Sequence, residues 1–470
     1  MAAADYATAT KTRMNQTFFV SAGQWMQRNG AWIRRLQWVI VLFYAFMLVV
    51  PAFMPLPDEN ARILTSLTVF AQFVFWGIWW PFVLASMLLM GRAWCGVLCP
   101  EGALTEWASG KGLGRTIPRW MRWEGWPVVA FTLTTIYGQM VSVYQYPKAV
   151  LVILGGSTAA AVAIGYVYGR EKRVWCKYLC PVNGVFGLLA KLAPVHFKVD
   201  GPAWRDSYGK TIPIKALNCA PLVAIRKMEG ASDCHMCGRC SSHRGAIALN
   251  VRSPNHEVVQ LGNRFATGWQ TVLILFGMLG IAIGAFQWMA NPDFISAKQR
   301  AAEWLVERNI LWPFAENAPW WLLTNYPDQR DVFSWLDGGL VVGYILSVGI
   351  ILGAALAAML GLATLALGQW QRQRFYHLCQ ALIPLSGCGI FLGLSALTIT
   401  LLKNEGIGIS WANDVRLVLL VAANAWSLWL ALGILRGYPS SPLKRFFGLI
   451  SFSLALAIID YAWALRFWVW

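Results

Sequence analysis

Eight of the ten cysteines in this chain fall at spacings that suit metal ligands. Cys234, Cys237 and Cys240 form a C-x2-C-x2-C run. That spacing wraps three thiolates around one face of an iron–sulfur cube. Bacterial ferredoxins continue with x3-C-P, whose cysteine usually serves another cluster. Here position 244 is Arg, directly after His243, so the fourth ligand must come from elsewhere. Cys219, followed by Ala220 and Pro221, is the nearest spare thiol in the same polar stretch. His243 competes with it, because imidazole can replace a thiolate on iron. A three-iron cluster on three protein ligands is the remaining alternative.

Four further thiols come from an internal repeat. Arg92–Pro100 and Arg173–Pro181 share the pattern R-x-W-C-x-x-L-C-P, and each copy ends in C-x3-C-P. Each resembles the last half of a ferredoxin motif, and neither alone can hold a cubane. Together Cys95, Cys99, Cys176 and Cys180 make a set of four thiolates. With Cys219, Cys234, Cys237 and Cys240 the simplest count is eight thiols for two [4Fe–4S] clusters. How the eight are shared stays open, because ferredoxin motifs often exchange the Pro-flanked cysteine. Zinc is the rival metal, but its sites usually use well-separated C-x2-C pairs. Disulfides are disfavoured if all eight face a reducing cytoplasm.

These motifs sit in a chain that lipid must cover. Of the 470 residues, 57% are hydrophobic and only 13% charged, against roughly 25% charged in soluble domains. The 27 tryptophans suit membrane interfaces. Nine apolar runs approach the roughly 20 residues that span hydrocarbon: Leu36–Met54, Leu64–Gly91, Trp126–Val143, Ala149–Tyr168, Thr267–Ala290, Gly338–Leu367, Leu378–Leu402, Leu417–Leu435 and Phe446–Leu465. The expected fold is an all-α integral membrane protein of about nine helices with a small cytoplasmic ferredoxin-like iron–sulfur segment. The first run begins too far in to be a signal peptide and reads as an anchor.

With the N-terminus inside, the inner segments hold 30 basic and ten acidic residues. The positive-inside rule then places every cysteine motif in the cytoplasm of a bacterial inner membrane. It also explains the net charge of +17 without nucleic acid. Four regions follow: a cytoplasmic segment 1–35; a four-helix membrane unit 36–168 with the first C-x3-C-P loop in 92–125; a cytoplasmic segment 169–266 with the second loop and the triplet; and a five-helix region 267–470. The outside loop 291–337 carries Trp304, Trp312, Trp320, Trp321 and Trp335, which fits either a segment on the outer membrane surface or packing against helix ends.

Weaker candidates lie further along. Cys379, Cys388 and His377 could bind copper or haem, but buried cysteines are commonly small core residues. Asp460 is an intramembrane carboxylate, a functional residue by default, unless it reaches the interface or pairs with a basic group. No Rossmann fingerprint, P-loop or covalent-flavin motif is present.

Residues 36–265, with their membrane helices, duplicated W-C-x-x-L-C-P loops and cysteine triplet, resemble the NapH/NosR/CcoG group of membrane polyferredoxins. The resemblance implies electron movement between the quinone pool, cytoplasmic clusters and a periplasmic redox protein partner. Its motif cysteines fall on Cys95, Cys99, Cys176, Cys180, Cys234, Cys237 and Cys240. The chain departs from that group in its single triplet, in the missing Cys-Pro end, and in five further helices. The expected function is membrane-bound electron transfer. The alternatives are a cupric-reductase-like maturation factor and a transporter with structural or sensory clusters.

Overall fold

The computed structural model describes residues 18–58, 60–209 and 217–470. Residues 1–17 of the expected N-terminal segment, and 210–216 of the segment 169–266, lie outside the described residues. The chain is an all-α membrane protein. Among the described residues, eight helices are long and apolar enough to cross a bilayer: Gly30–Phe53, Leu67–Met90, Pro147–Tyr168, Gly268–Gln287, Trp335–Ala366, Arg372–Asn404, Ala412–Gly437 and Pro442–Val469. The remaining apolar run folds as Trp126–Met140, of 15 residues. At 1.5 Å per residue that is about 22 Å, short of the roughly 30 Å hydrocarbon core.

Two compact units are assembled from discontinuous stretches. One joins residues 1–46, 83–123 and 158–257, and contains all eight motif cysteines. Its small sheet pairs β1 (Val195–Val199) antiparallel with β2 (Ile247–Val251), with Phe197 opposite Leu249. Both side chains are buried, with Trp204, Met236 and Ile247, in a core directly beneath the cysteine triplet. A buried ion pair anchors the same region: Arg252 Nη2 lies 2.5 Å from Glu257 Oε2, which also accepts from the Ala231 N–H at 2.7 Å.

The second unit comprises residues 47–82, 124–157 and 258–470. Trp335–Ala366 packs along Pro442–Ala464 and along the helix through Leu273–Ile281. Small residues permit close approach, as is usual between membrane helices. A Cβ at Gly280 would lie 2.6 Å from the Gly349 carbonyl oxygen. In the loop 291–337, Asn291 caps the helix Pro292–Glu307, which buries none of its residues. Trp304, Trp312, Trp321 and Trp335 are all exposed.

The isolated candidates of this unit resolve into packing. His377 Nδ1 is 2.9 Å from the Tyr438 hydroxyl and Nε2 is 2.8 Å from the Val258 carbonyl, so both ring nitrogens are engaged. Cys379 is fully buried. Asp460 accepts a hydrogen bond from Asn424 Nδ2 at 2.8 Å, so its partner is an amide rather than a basic group.

Candidate iron–sulfur site

The two copies of the repeat adopt matching local structure. In the first, the Gly96 N–H donates to the Arg92 carbonyl at 3.2 Å, and the Cys99 N–H donates to the Trp94 carbonyl at 2.8 Å. In the second, Lys177 donates to Arg173 at 3.2 Å, and Cys180 to Trp175 at 3.0 Å. Each copy is thus one helical turn whose last bond spans five residues. Such π-type turns are frequent at functional sites. The turn fixes both cysteines of a copy relative to one buried tryptophan. Pro100 then starts the helix Pro100–Gly110, and Cys99 caps it by accepting from the Gly102 N–H at 3.4 Å. A helix N-terminus favours the thiolate.

The copies interlock through their arginines. Arg173, 1% exposed, donates from Nη1 to the Cys95 carbonyl at 2.5 Å and pairs through Nε with Glu106 at 2.7 Å. Arg92 reaches the other way, to Asn183 Oδ1 at 2.7 Å and the Ser232 carbonyl at 3.0 Å. Trp175 of the second copy donates to Glu101 of the first at 3.2 Å. Each guanidinium belongs to one copy and stitches it to another segment. Both arginines stand in the repeat pattern, but in sequence they look like ordinary interface charges. Glu106 and Arg239 carried no sequence signal at all.

Burial pushes the thiols of this set up. The Cys99 thiol is raised well above its usual range by burial and by the neighbouring Cys95 and Cys176. Cys176 is pushed up to about 12, chiefly by burial. Cys180 is raised by burial, Glu101, Cys176 and Cys99.

The second set surrounds a pocket. Cys219, Cys234, Cys237 and Cys240 line it together, with Phe197, Val223, Ile225 and Met228 excluding water. Met236 and Gly238 hold positive φ, of 51° and 75°, which curls the triplet around the space. A Cβ at Gly238 would fall 2.4 Å from the Met26 Cβ, so the helical residues 18–28 press on this loop. The Met236 N–H lies 3.4 Å from Cys234 Sγ, a bond that would moderate a thiolate's charge. Burial raises Cys219 and Cys234, and pushes Cys240 up to about 12. His243, the competing fourth donor, is absent from that lining and packs against Trp204 at 5.7 Å between ring centroids. Among the described residues no three His, Cys, Asp or Glu side chains gather around a single-ion site.

The donor chemistry fits iron–sulfur clusters. Each set offers four soft thiols, and backbone N–H groups already point at sulfur in both. Comparison with known proteins agrees. A family described as 4Fe-4S binding domain matches residues 72–120 and 151–200, bracketing the two C-x3-C-P loops. Over these two stretches the chain is similar to 4Fe–4S binding domains. YccM of Escherichia coli (strain K12), a protein named for electron transport, is 25% identical over 234 residues, covering 43% of this chain and 62% of that protein. The regulatory protein NosR of Pseudomonas aeruginosa is 28% identical over 185 residues, 35% of this chain and 25% of its own. The chain thus spans less than two thirds of either relative. No solved structure matches it. The domain match ends at residue 200, so the triplet and the C-terminal helices lie beyond it.

Proposed function

We propose that this chain moves single electrons through two [4Fe–4S] clusters at the cytoplasmic face of a bacterial inner membrane. Cys95, Cys99, Cys176 and Cys180 would hold one. Cys219, Cys234, Cys237 and Cys240 would hold the other. One observation supports the reading: Arg173 of the second half-motif bonds the Cys95 carbonyl of the first, and Arg92 of the first reaches Asn183 just past the second. The clusters supply one-electron redox chemistry when bound. The chain's residues do the rest. Apolar walls exclude water, N–H groups point at sulfur, and the buried guanidiniums balance the negative charge that thiolates bring.

The electron source in this reading is quinol in the adjoining bilayer. Oxidation of one quinol would release two electrons and two protons; clusters held by the two thiol sets would supply a one-electron centre for each electron, and the protons would pass to water. A redox protein partner is the expected acceptor, and the basic inner face suits an acidic one. The electron-transport name of YccM supports this class of function.

Anaerobic purification with iron and sulfide analysis tests the cluster count. Two cubanes give about eight of each per chain, since each cluster holds four. Zinc in place of iron would refute the reading, and four irons would leave one set empty. A quinol analogue should bleach the cluster absorbance of the wild type but not of Cys95→Ser or Cys176→Ser. Clusters that respond to dithionite yet never to excess quinol would exclude quinol as donor.

A further inference from the structure

Glu106 lies two turns into the helix that Cys99 caps. Its carboxylate divides between two cations. Oε2 meets Arg173 Nε at 2.7 Å, and Oε1 meets Arg239 Nη2. Burial alone would raise this carboxyl, but the two guanidiniums outweigh it and hold it below the usual carboxylate range. Arg173 is bonded to the Cys95 carbonyl, at the first thiol set. Arg239 stands between Cys237 and Cys240, in the second. One carboxylate therefore joins two cations that are seated at different thiol sets.

We propose that Glu106 sets the reduction potentials of the two clusters jointly; the inference rests on the two-cluster reading above. In each reduction one electron passes from the reductant to a cluster, and no bond forms or breaks. The cluster gains one negative charge. Arg173 and Arg239 favour that gain, and Glu106 opposes it at both sites by offsetting them. Partial burial makes the effect count: the Glu106 side chain is 21% exposed and Arg173 only 1%, and charges removed from water interact more strongly. Glu106 is accordingly a positioning residue for charge, not a ligand.

The test is an EPR-monitored redox titration of the purified protein, with dithionite as reductant. Glu106→Gln removes the charge while keeping an amide that can still bond to arginine. Both potentials should rise, by on the order of tenfold in each reduction equilibrium, or ~59 mV for a one-electron couple. Glu106→Asp keeps the charge and should titrate like the wild type. Arg239→Gln leaves the carboxylate under-compensated, so both potentials should fall. A Glu106→Gln shift confined to one cluster, or absent from both, overturns the inference. Should Glu106→Gln assemble no clusters, Arg239→Gln decides, and a fall at one cluster alone overturns it. A wild type with one cluster would instead refute the two-cluster reading.

Discussion

Gly96 and His235 meet backbone to backbone: a Cβ at Gly96 would lie 1.9 Å from the His235 carbonyl oxygen and 2.8 Å from the Cys237 nitrogen. Gly96 follows the first cysteine of the first C-x3-C-P loop, and His235 follows the first cysteine of the triplet. The two thiol sets are thus pressed together at a position where a missing side chain allows it. Gln37 Nε2 holds the Gly96 carbonyl from the other side at 3.0 Å.

Gly96→Ala should therefore separate the loops and remove most of the bound iron. Backbone atoms are the obstacle, so no rotamer change can relieve the clash. Gly110→Ala is the control, since a Cβ there meets nothing within 4 Å. Iron and sulfide per chain, measured on both variants, check this. Full iron in Gly96→Ala would show that the contact is dispensable.

The Arg252–Glu257 pair, with both side chains 6% exposed, makes a stability prediction. Glu257→Gln should cost about 3–5 kcal/mol, because it strands a buried guanidinium. Arg252→Met combined with Glu257→Gln should recover much of that loss, since neither charge then remains. Urea denaturation in detergent would measure both. A double variant no better than the single one would contradict the argument.

His196 gives the chain an acid-sensitive strand. It is buried in β1, and burial, with Arg252, His256 and Lys198 adding to it, lowers its pKa from 6.5 to about 4. Between those values the unfolded chain binds the proton and the folded chain does not. Stability then rises with pH across that window. It falls as pH drops from 6.5 towards 4, by on the order of 3 kcal/mol. His196→Gln should flatten this slope and leave stability above pH 7 independent of the change in slope. Melting temperatures from pH 4 to 8 would show it, and an unchanged slope would assign the acid sensitivity elsewhere.

The charge asymmetry of the sequence makes a prediction about topology. Reporter fusions after residues 250 and 315 should report opposite sides of the membrane, with residue 250 cytoplasmic. Labelling of Cys234 by an impermeant reagent from the periplasmic side would reverse the orientation.

Much of the molecule was legible in the linear chain. Hydrophobic run lengths mark the membrane helices, since the bilayer sets a minimum span whatever the neighbours. All eight long spans lie within apolar runs or close to their edges. The repeat was legible too, because identical residues at identical spacing fold into the same turn twice, down to the Cys99–Trp94 and Cys180–Trp175 bonds. The roles of Glu106 and Arg239 were not legible. Nothing distinguishes either from a solvated surface charge until the other's position is known.

The sequence by itself determined the chemistry and the medium: soft thiols at cubane spacing, in a chain too apolar for water. Local spacing suffices for both, because ligand type and segment length are properties of short stretches. Tertiary structure alone decided which stretches share a space. Cys219 joins the triplet's pocket while His243 turns to Trp204, His377 is taken up by Tyr438 and Val258, and Arg173 crosses to the other copy's Cys95. Each of these depends on contacts between residues far apart in sequence, and such contacts are set by packing and not by spacing.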